Sequence, residues 1–290
     1  MPGDRVDADV RVAVVGHVEW VQVACVQRVP EAGAIVHADD HFELAGGGGA
    51  VAAVALRRLA GAAELFTALG DDRFGDCAAA QLESYGVQLH AARRRREQRR
   101  AFTLLDAAGE RTITVLGPRL VPCGGDPLPW ARLDSIDGVY FTGGDGAALR
   151  AARRARTLVI TPRAHDALAE APDVVADALV LSTRDADELS WAAGSRSAVD
   201  LTVLTDGARG GTYIAGDGRE RHFEAAEPPD EVVDSYGCGD SFAAGLTLGL
   251  ALGLDPPQAI AIAARCGAAC LAGRGPYGRQ LTAAELSLST

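Results

Sequence analysis

Short apolar runs recur along this chain, and helical segments lie between several of them. One run, VRVAVVG at residues 10–16, ends in glycine and has the composition of a buried parallel strand. Chains that alternate strands with helices in this way form a parallel sheet with helices on both faces. We therefore expect an α/β fold whose central strands include residues 10–16, 65–69, 139–142, 157–161, 178–182 and 203–205.

Two β-rich insertions, at about residues 17–45 and 92–118, interrupt this alternation. In the second, apolar segments at 102–106 and 112–116 flank AAGE at 107–110, a pattern typical of a β-hairpin. We expect the insertions to form a small second sheet beside the main one. Because no internal repeat or long linker interrupts the sequence, residues 1–290 are expected to form a single domain.

The charge balance excludes some classes of partner and chemistry. The net charge of −11 disfavours nucleic-acid binding, which depends on basic surface. The sequence contains no lysine, so a Schiff-base lysine and a G-K-[ST] phosphate loop are both excluded. The first residues, MPGDRVDADV, do not resemble a signal peptide, and no apolar run reaches membrane-spanning length. We expect a cytoplasmic protein that does not bind a membrane.

The stretch VDSYGCGDSFAAG at residues 233–245 places a glycine turn and a carboxylate before an apolar helix. Glycines at a helix N-terminus leave backbone amides exposed, and such amides bind anions. The carboxylate of Asp240 can accept a proton from an alcohol that attacks a phosphate held there. The alternative from these residues alone is an ordinary helix start, with Asp240 as a stabilising first-turn acid.

Four motifs, in order over nearly the whole chain, resemble those of the ribokinase-like (PfkB-type) carbohydrate kinases. They are GGGGA at 46–50 with LGDDRFG at 69–75, VDSYGCGDSFAAG at 233–245, TDGARG at 205–210, and VG at 15–16 with VPEAG at 29–33. The resemblance implies a ribokinase-like three-layer α/β/α sandwich with a mainly parallel central sheet. It also implies that the two insertions form a small β-sheet lid.

The same resemblance implies ATP-dependent phosphoryl transfer to a small-molecule alcohol. Asp240 would take the proton from the acceptor hydroxyl, and the amides of residues 237–239 (Gly237, Cys238 and Gly239) would stabilise the transferring phosphoryl group. Asp185 would order water around the Mg²⁺ that accompanies ATP, and Asp234 would lie in a loop for a monovalent cation such as K⁺. Lids in this family often pair two chains, which implies a homodimer. Nucleotide-binding residues would be Ser182, Thr205, Gly207, Gly210 and Gly275.

Three positions depart from the family pattern and leave the acceptor unidentified. Glu19 and Val51 stand where relatives often carry Asn, and Val21 stands where an Asp grips sugar hydroxyls. Buried hydroxyls without partners cost about 1–3 kcal/mol each, so we expect a less polar acceptor or one held by other groups. The candidate substrate-binding residues are His17, Glu19, Trp20, Gly46, Gly47, Val51 and Arg163.

Several readings of this sequence stay open. Trp20 is either a substrate contact or a lid aromatic, and the arginine-rich run at residues 93–100 either reaches an anionic substrate group or forms a solvated face. An apolar pocket beside Val21 suits a nucleobase as well as a sugar, which makes a nucleoside kinase the first alternative. A catalytically silent ligand-binding homologue is the second. A dehydrogenase is disfavoured because no G-x-G-x-x-G follows the first strand.

Overall fold

The structure is a computed structural model that describes residues 10–107, 109–194 and 199–286. Its strands are β1 (Val12–Val15), β2 (Glu19–Cys25), β3 (Asp40–Gly46), β4 (Glu64–Gly70), β5 (Gln88–Arg94), β6 (Arg100–Leu105), β7 (Arg111–Leu116), β8 (Gly138–Phe141), β9 (Thr157–Ile160), β10 (Ala176–Ser182), β11 (Val199–Thr205), β12 (Gly211–Ile214) and β13 (Glu220–Phe223). Its α-helices are α1 (Gly48–Ala60), α2 (Arg73–Ser84), α3 (Gly146–Ala152), α4 (His165–Glu170), α5 (Ala186–Gly194), α6 (Cys238–Ala251) and α7 (Pro256–Leu271).

The central sheet has the strand order β13-β12-β11-β10-β9-β8-β1-β4-β5. The strands from β11 to β5 pair in parallel, and β12 and β13 complete one edge as antiparallel strands. All six strands predicted from apolar runs lie in this sheet. The predicted mainly parallel α/β sheet is therefore confirmed.

Strand β1 shows why both faces of the sheet are covered. Successive side chains of a strand point to opposite faces. Val12 and Val14 join the apolar cluster that includes α1, α6 and α7, whereas Ala13 and Val15 join the cluster that includes α3 and α4. All four side chains are buried, because each face carries a layer of helices. The predicted three-layer arrangement is confirmed.

A second, four-stranded sheet has the order β3-β2-β6-β7. Strand β2 pairs antiparallel with β3 and parallel with β6, and β6 and β7 form the predicted hairpin. Both β-rich insertions therefore contribute to one small sheet. The boundary of the second insertion needs a correction: residues 92–94 belong to β5, which pairs with β4 in the central sheet.

The carboxyl ends of β1, β8, β9, β10 and β11 share one edge of the central sheet, because these strands are parallel. Open α/β sheets bind their ligands at this edge. In the described part of the chain, no helix is long and apolar enough to cross a membrane.

Candidate active site

The turn before α6 is held in a conformation that requires glycine. Gly237 has φ 84°, in the left-handed region that only glycine adopts without strain. A Cβ atom on Gly237 would also lie 2.6 Å from Cβ of Pro276 and 2.9 Å from Cγ1 of Val51. Backbone conformation and close packing therefore both require glycine at position 237. The turn at this glycine places the start of α6 near the ends of β9, β10 and β11.

The first turn of α6 offers unpaired amides. The amide of Cys238 donates a long hydrogen bond of 3.5 Å to the carbonyl of Ser235. The amides of Gly237, Gly239 and Asp240 have no acceptor within the described residues, as expected for the first turn of a helix. Two of the three predicted amides, those of Gly237 and Gly239, are therefore free to bind a ligand.

The carboxylate of Asp240 lies against the start of α1. A Cβ atom on Gly48 would lie 2.9 Å from Oδ1 of Asp240 and 2.8 Å from Oγ1 of Thr142. Both distances are shorter than side-chain contacts allow. Any side chain at position 48 would collide with the carboxylate of Asp240. The glycine at this position therefore leaves the space that the carboxylate occupies.

The electrostatic surroundings of Asp240 favour a proton acceptor. Burial raises the pKa of its carboxyl group, while the charges of Arg163 and His17 act in the opposite direction. A carboxylate with a raised pKa is a stronger base than one in water.

Tyr236 connects the loop before α6 to the glycine run. Its hydroxyl accepts a hydrogen bond of 3.1 Å from the amide of Gly47, and a Cβ atom on Gly46 would overlap this hydroxyl. Gly47 has φ 85°, and a Cβ atom there would lie 3.1 Å from the ring of His17. The predicted residues Gly46 and Gly47 therefore shape the floor between Tyr236 and His17.

His17, Glu19 and Arg99 form a connected group next to this floor. Nε2 of His17 lies 3.4 Å from Oε1 of Glu19, and Nε of Arg99 lies 2.9 Å from the same oxygen. Burial lowers the pKa of His17, although its contact with Glu19 acts in the opposite direction. Burial would raise the pKa of Glu19, but its contacts with His17 and Arg99 outweigh burial and lower the pKa. Nδ1 of His17 is buried and has no hydrogen-bond partner among the residues that the structure describes.

Two adjoining cavities open at this edge. The large cavity, of about 320 Å³, is lined by α6 residues and by the ends of β9, β10 and β11. The small cavity, of about 60 Å³, lies between Glu19, Asp234 and the inner face of the small sheet. The two cavities share Arg111, Ile113 and Tyr236. The large cavity brings together the predicted residues Gly237, Gly239, Asp240, Arg163, Ser182 and Thr205.

The segment after β10 carries a buried acid that the motif comparison missed. Glu188 accepts hydrogen bonds of 2.8 Å from the amide of Ser182 and from Nε of Arg163. The one sequence signal that could have pointed to Glu188 is its position, one helical turn after Asp185. Glu188 therefore fixes Arg163 beside Asp240.

No group of three or more His, Cys, Asp or Glu side chains that suits a metal ion occurs within the described ranges. Oδ1 of Asp185 accepts the amides of Asp187 and Glu188, and Oδ2 lies 4.0 Å from Nη2 of Arg163. One half-exposed carboxylate fits a contact through water with a Mg²⁺ ion that phosphates hold. It does not fit a resident metal site.

Asp234 ties two loops together. Oδ1 accepts the amide of Tyr236 at 2.9 Å, and Oδ2 accepts the amide of Gly275 at 3.1 Å. Both oxygens thus already have a backbone partner. A monovalent cation here would share these oxygens and depend on backbone carbonyls for its remaining ligands.

The structure does not bring Trp20 to either cavity. Glu19, Val21 and Val23 line the small cavity, and side chains alternate along β2, so Trp20 points to the opposite face. There its ring packs 6.5 Å from that of Phe74, and Nε1 donates to Glu43 at 2.9 Å. The substrate contact expected for Trp20 is corrected to a packing role.

Nine other predicted residues lie outside both cavity linings: His17, Gly46, Gly47, Val51, Asp185, Gly207, Gly210, Cys238 and Gly275. Val51 is fully buried beneath Gly237. Gly207 lies against the guanidinium of Arg184, and Gly275 packs against side chains of β3. Gly210, like Gly207, lies in the turn between β11 and β12. The direct ligand contact expected for Val51 is corrected to a packing role, whereas the nucleotide contacts expected for Gly207, Gly210 and Gly275 stay predictions.

The arginine-rich run at residues 93–100 does not form one surface. Arg93 pairs with Asp76, and Arg94 pairs with Asp126. Arg100 stacks on Phe74 with 4.8 Å between guanidinium and ring centroid. Of the arginines in this run, Arg99 reaches the site, through Glu19. The run is therefore not one solvated face, and the interpretation that one or two of its arginines reach an anionic substrate group stays a prediction.

Comparisons with known proteins agree with this geometry. Residues 10–282 match the pfkB family carbohydrate kinase. An ATP-dependent ribose-1-phosphate kinase of Halopiger xanaduensis is 30% identical over 277 residues, with 89% of this chain and 91% of the relative covered. A fructokinase of Klebsiella pneumoniae is 30% identical over 268 residues, with 79% and 86% covered. The ribokinase structure of Thermotoga maritima superposes with a TM-score of 0.75 at 18% identity and covers 95% of this chain and 97% of its own. The chain belongs to the pfkB family of carbohydrate kinases.

Proposed function

We propose that this protein transfers the γ-phosphoryl group of ATP to a hydroxyl of a sugar or sugar-like molecule, with Asp240 as general base. One observation carries the proposal. Asp240 and the free amides at the start of α6 lie together at the wall of the large cavity, which shares Tyr236 with the small cavity. A base and an anion site are therefore adjacent at one point, as phosphoryl transfer requires.

Each residue of the site has a separate role in the proposed phosphoryl transfer. Asp240 accepts the proton of the attacking hydroxyl, and the amides of Gly239 and Asp240 stabilise negative charge on the transferring group. Glu188 holds Arg163 at the wall of the same cavity, where the charge of Arg163 lowers the pKa of Asp240 and so counteracts part of the effect of burial. Asp185 would contact the water shell of a Mg²⁺ ion that accompanies ATP, and that ion would neutralise phosphate charge.

The small sheet acts as a lid in this proposal. The inner faces of β2, β6 and β7 carry Val21, Ala101 and Ile113 toward the small cavity. Closing such an apolar face over the acceptor excludes water and protects the phosphoryl group from hydrolysis.

The acceptor is proposed to be a sugar or a sugar derivative. The relatives named above are kinases of ribose 1-phosphate and, by its name, fructose, and the contacts around Glu19 and His17 suit hydroxyl groups. A nucleoside kinase is the second candidate, because the small cavity is walled mainly by apolar groups that suit a nucleobase. A cytoplasmic location, a single domain, a homodimer through the lid and a K⁺ requirement remain predictions.

A panel of acceptors tests the proposal. ADP release would be measured with ATP, Mg²⁺ and, in turn, ribose, ribose 1-phosphate, fructose and adenosine, with product identity checked by phosphorus NMR. We expect one sugar or sugar phosphate to be phosphorylated efficiently, and adenosine to be preferred if the second candidate is right. ATP binding by calorimetry without phosphorylation of any acceptor would contradict the proposal and favour the silent ligand-binding homologue.

A further inference from the structure

Helices α6 and α7 pack closely against each other along their length. A Cβ atom on Gly249 or Gly245 of α6 would lie 2.7 Å and 2.8 Å, respectively, from a Cα atom of α7. At the same interface, a Cβ atom on Gly267 of α7 would lie 3.3 Å from the carbonyl oxygen of Cys238, the first residue of α6. The start of α6, which carries the anion-binding amides, therefore rests directly on the C-terminal part of α7.

This packing brings two thiols into contact. All six cysteines of the chain are free, and the side chains of Cys238 and Cys270 form a hydrogen bond with each other. Cys270 is fully buried near the end of α7, and its Sγ also donates to the carbonyl oxygen of Tyr236 at 3.3 Å. Cys238 is partly exposed. The pair therefore joins a thiol that a small reagent can reach to a buried thiol directly behind it.

A covalent bond between these sulfurs would change the position of the first turn of α6. Two sulfurs in non-bonded contact lie roughly 3.5 Å apart, whereas the S–S bond of a disulfide is about 2.05 Å long. Cys270 is held by α7 and by its hydrogen bond to Tyr236, so most of the movement must come from Cys238. Asp240 lies in the same turn, two residues after Cys238. A disulfide would therefore displace the carboxylate and the amides together.

We propose that Cys238 and Cys270 are an oxidation site: a peroxide converts them to a disulfide, and the disulfide slows phosphoryl transfer. The deprotonated sulfur of Cys238 attacks one peroxide oxygen, so that an S–O bond forms, the O–O bond breaks and hydroxide leaves. The sulfur of Cys270 then attacks that sulfur, so that the S–S bond forms and the S–O bond breaks. Two electrons pass from the sulfurs to the peroxide, and the two thiol protons leave with its oxygens as water. Only the effect on transfer rests on the proposed function.

Peptide mapping by mass spectrometry tests the disulfide directly. Cleavage after arginine leaves Cys238 in the peptide 222–265 and places Cys270 with Cys266 in the peptide 266–274. After the folded protein is treated with hydrogen peroxide, we expect these two peptides to be linked, with the loss of two hydrogens. The link should form in Cys266→Ser and be absent from Cys270→Ser and Cys270→Ala. No link in the wild type, or a link that needs Cys266, would overturn the proposal.

Steady-state kinetics before and after peroxide test the effect on transfer. Because a displacement of 1 Å at a reacting group costs about 100-fold, kcat of the oxidised wild type should fall by at least about 10-fold, and dithiothreitol should restore it. The two Cys270 variants should keep kcat within about twofold of their untreated values, whereas Cys77→Ser, which changes an exposed cysteine, should respond like the wild type.

The two measurements separate the oxidation site from the kinase reaction. An unchanged kcat in the linked wild type, or an equal loss in Cys270→Ser and Cys270→Ala, would overturn the control of transfer by this pair. A link that forms in a protein with no transfer activity before or after reduction would support the oxidation site and contradict the proposed function alone.

Discussion

Replacing Gly48 with alanine should slow the reaction without unfolding the protein. The new Cβ atom would lie 2.9 Å from Oδ1 of Asp240, about 0.5 Å closer than an ordinary contact. Thr142 is fully buried and blocks retreat on the other side, so the carboxylate must move. A displacement of 1 Å at a reacting group costs about 100-fold, so half that distance should lower kcat by about 10-fold.

The assay is steady-state kinetics of ADP release with urea unfolding on the same samples. Alanine favours the helix by about 0.5–1 kcal/mol over glycine, whereas overpacking costs about 1–3 kcal/mol, so the free energy of unfolding should fall by no more than about 2.5 kcal/mol. Gly216→Ala is the control, because nothing lies within 4 Å of its Cβ position. An unchanged kcat in Gly48→Ala would refute the inference that Asp240 must occupy this position.

Three further changes test neighbouring contacts. Arg163→Met removes a charge that lowers the pKa of Asp240, so this pKa should rise and the acidic limb of the kcat profile should move to higher pH. Glu188→Gln weakens buried bonds to Ser182 and Arg163, and urea unfolding should show a loss of about 1–3 kcal/mol. Trp20→Phe should change the acceptor KM less than about twofold, because the ring of Trp20 packs on Phe74. A larger rise in KM would show that Trp20 contacts the substrate.

Strands, turns and hairpins, which are set by residues close together in the sequence, were predictable from the sequence. The apolar runs gave the strands of the central sheet, and the turn at Gly237 with its following acid indicated an anion site at a helix start. The hairpin of β6 and β7 follows from local patterning in the same way. In each case the physical cause, hydrophobic period or backbone conformation, acts within a few residues.

Features that depend on tertiary contacts were missed. Glu188 lies in no motif, and folding alone brings it to Arg163. The error at Trp20 has a different cause. Glu19 and Trp20 are adjacent on β2, so only one of them can face the small cavity, and the sequence did not show where the strand begins.

The central claim is that Asp240 is the base for phosphoryl transfer, and Asp240→Asn tests it most directly. The wild type and the variant would be compared in single turnover, by following transfer of labelled γ-phosphoryl from ATP to the best acceptor of the panel. We predict that Asp240→Asn slows transfer by about 10²–10⁴-fold, while calorimetry shows nearly unchanged ATP affinity. Transfer by the variant at a rate close to that of the wild type would contradict the assignment.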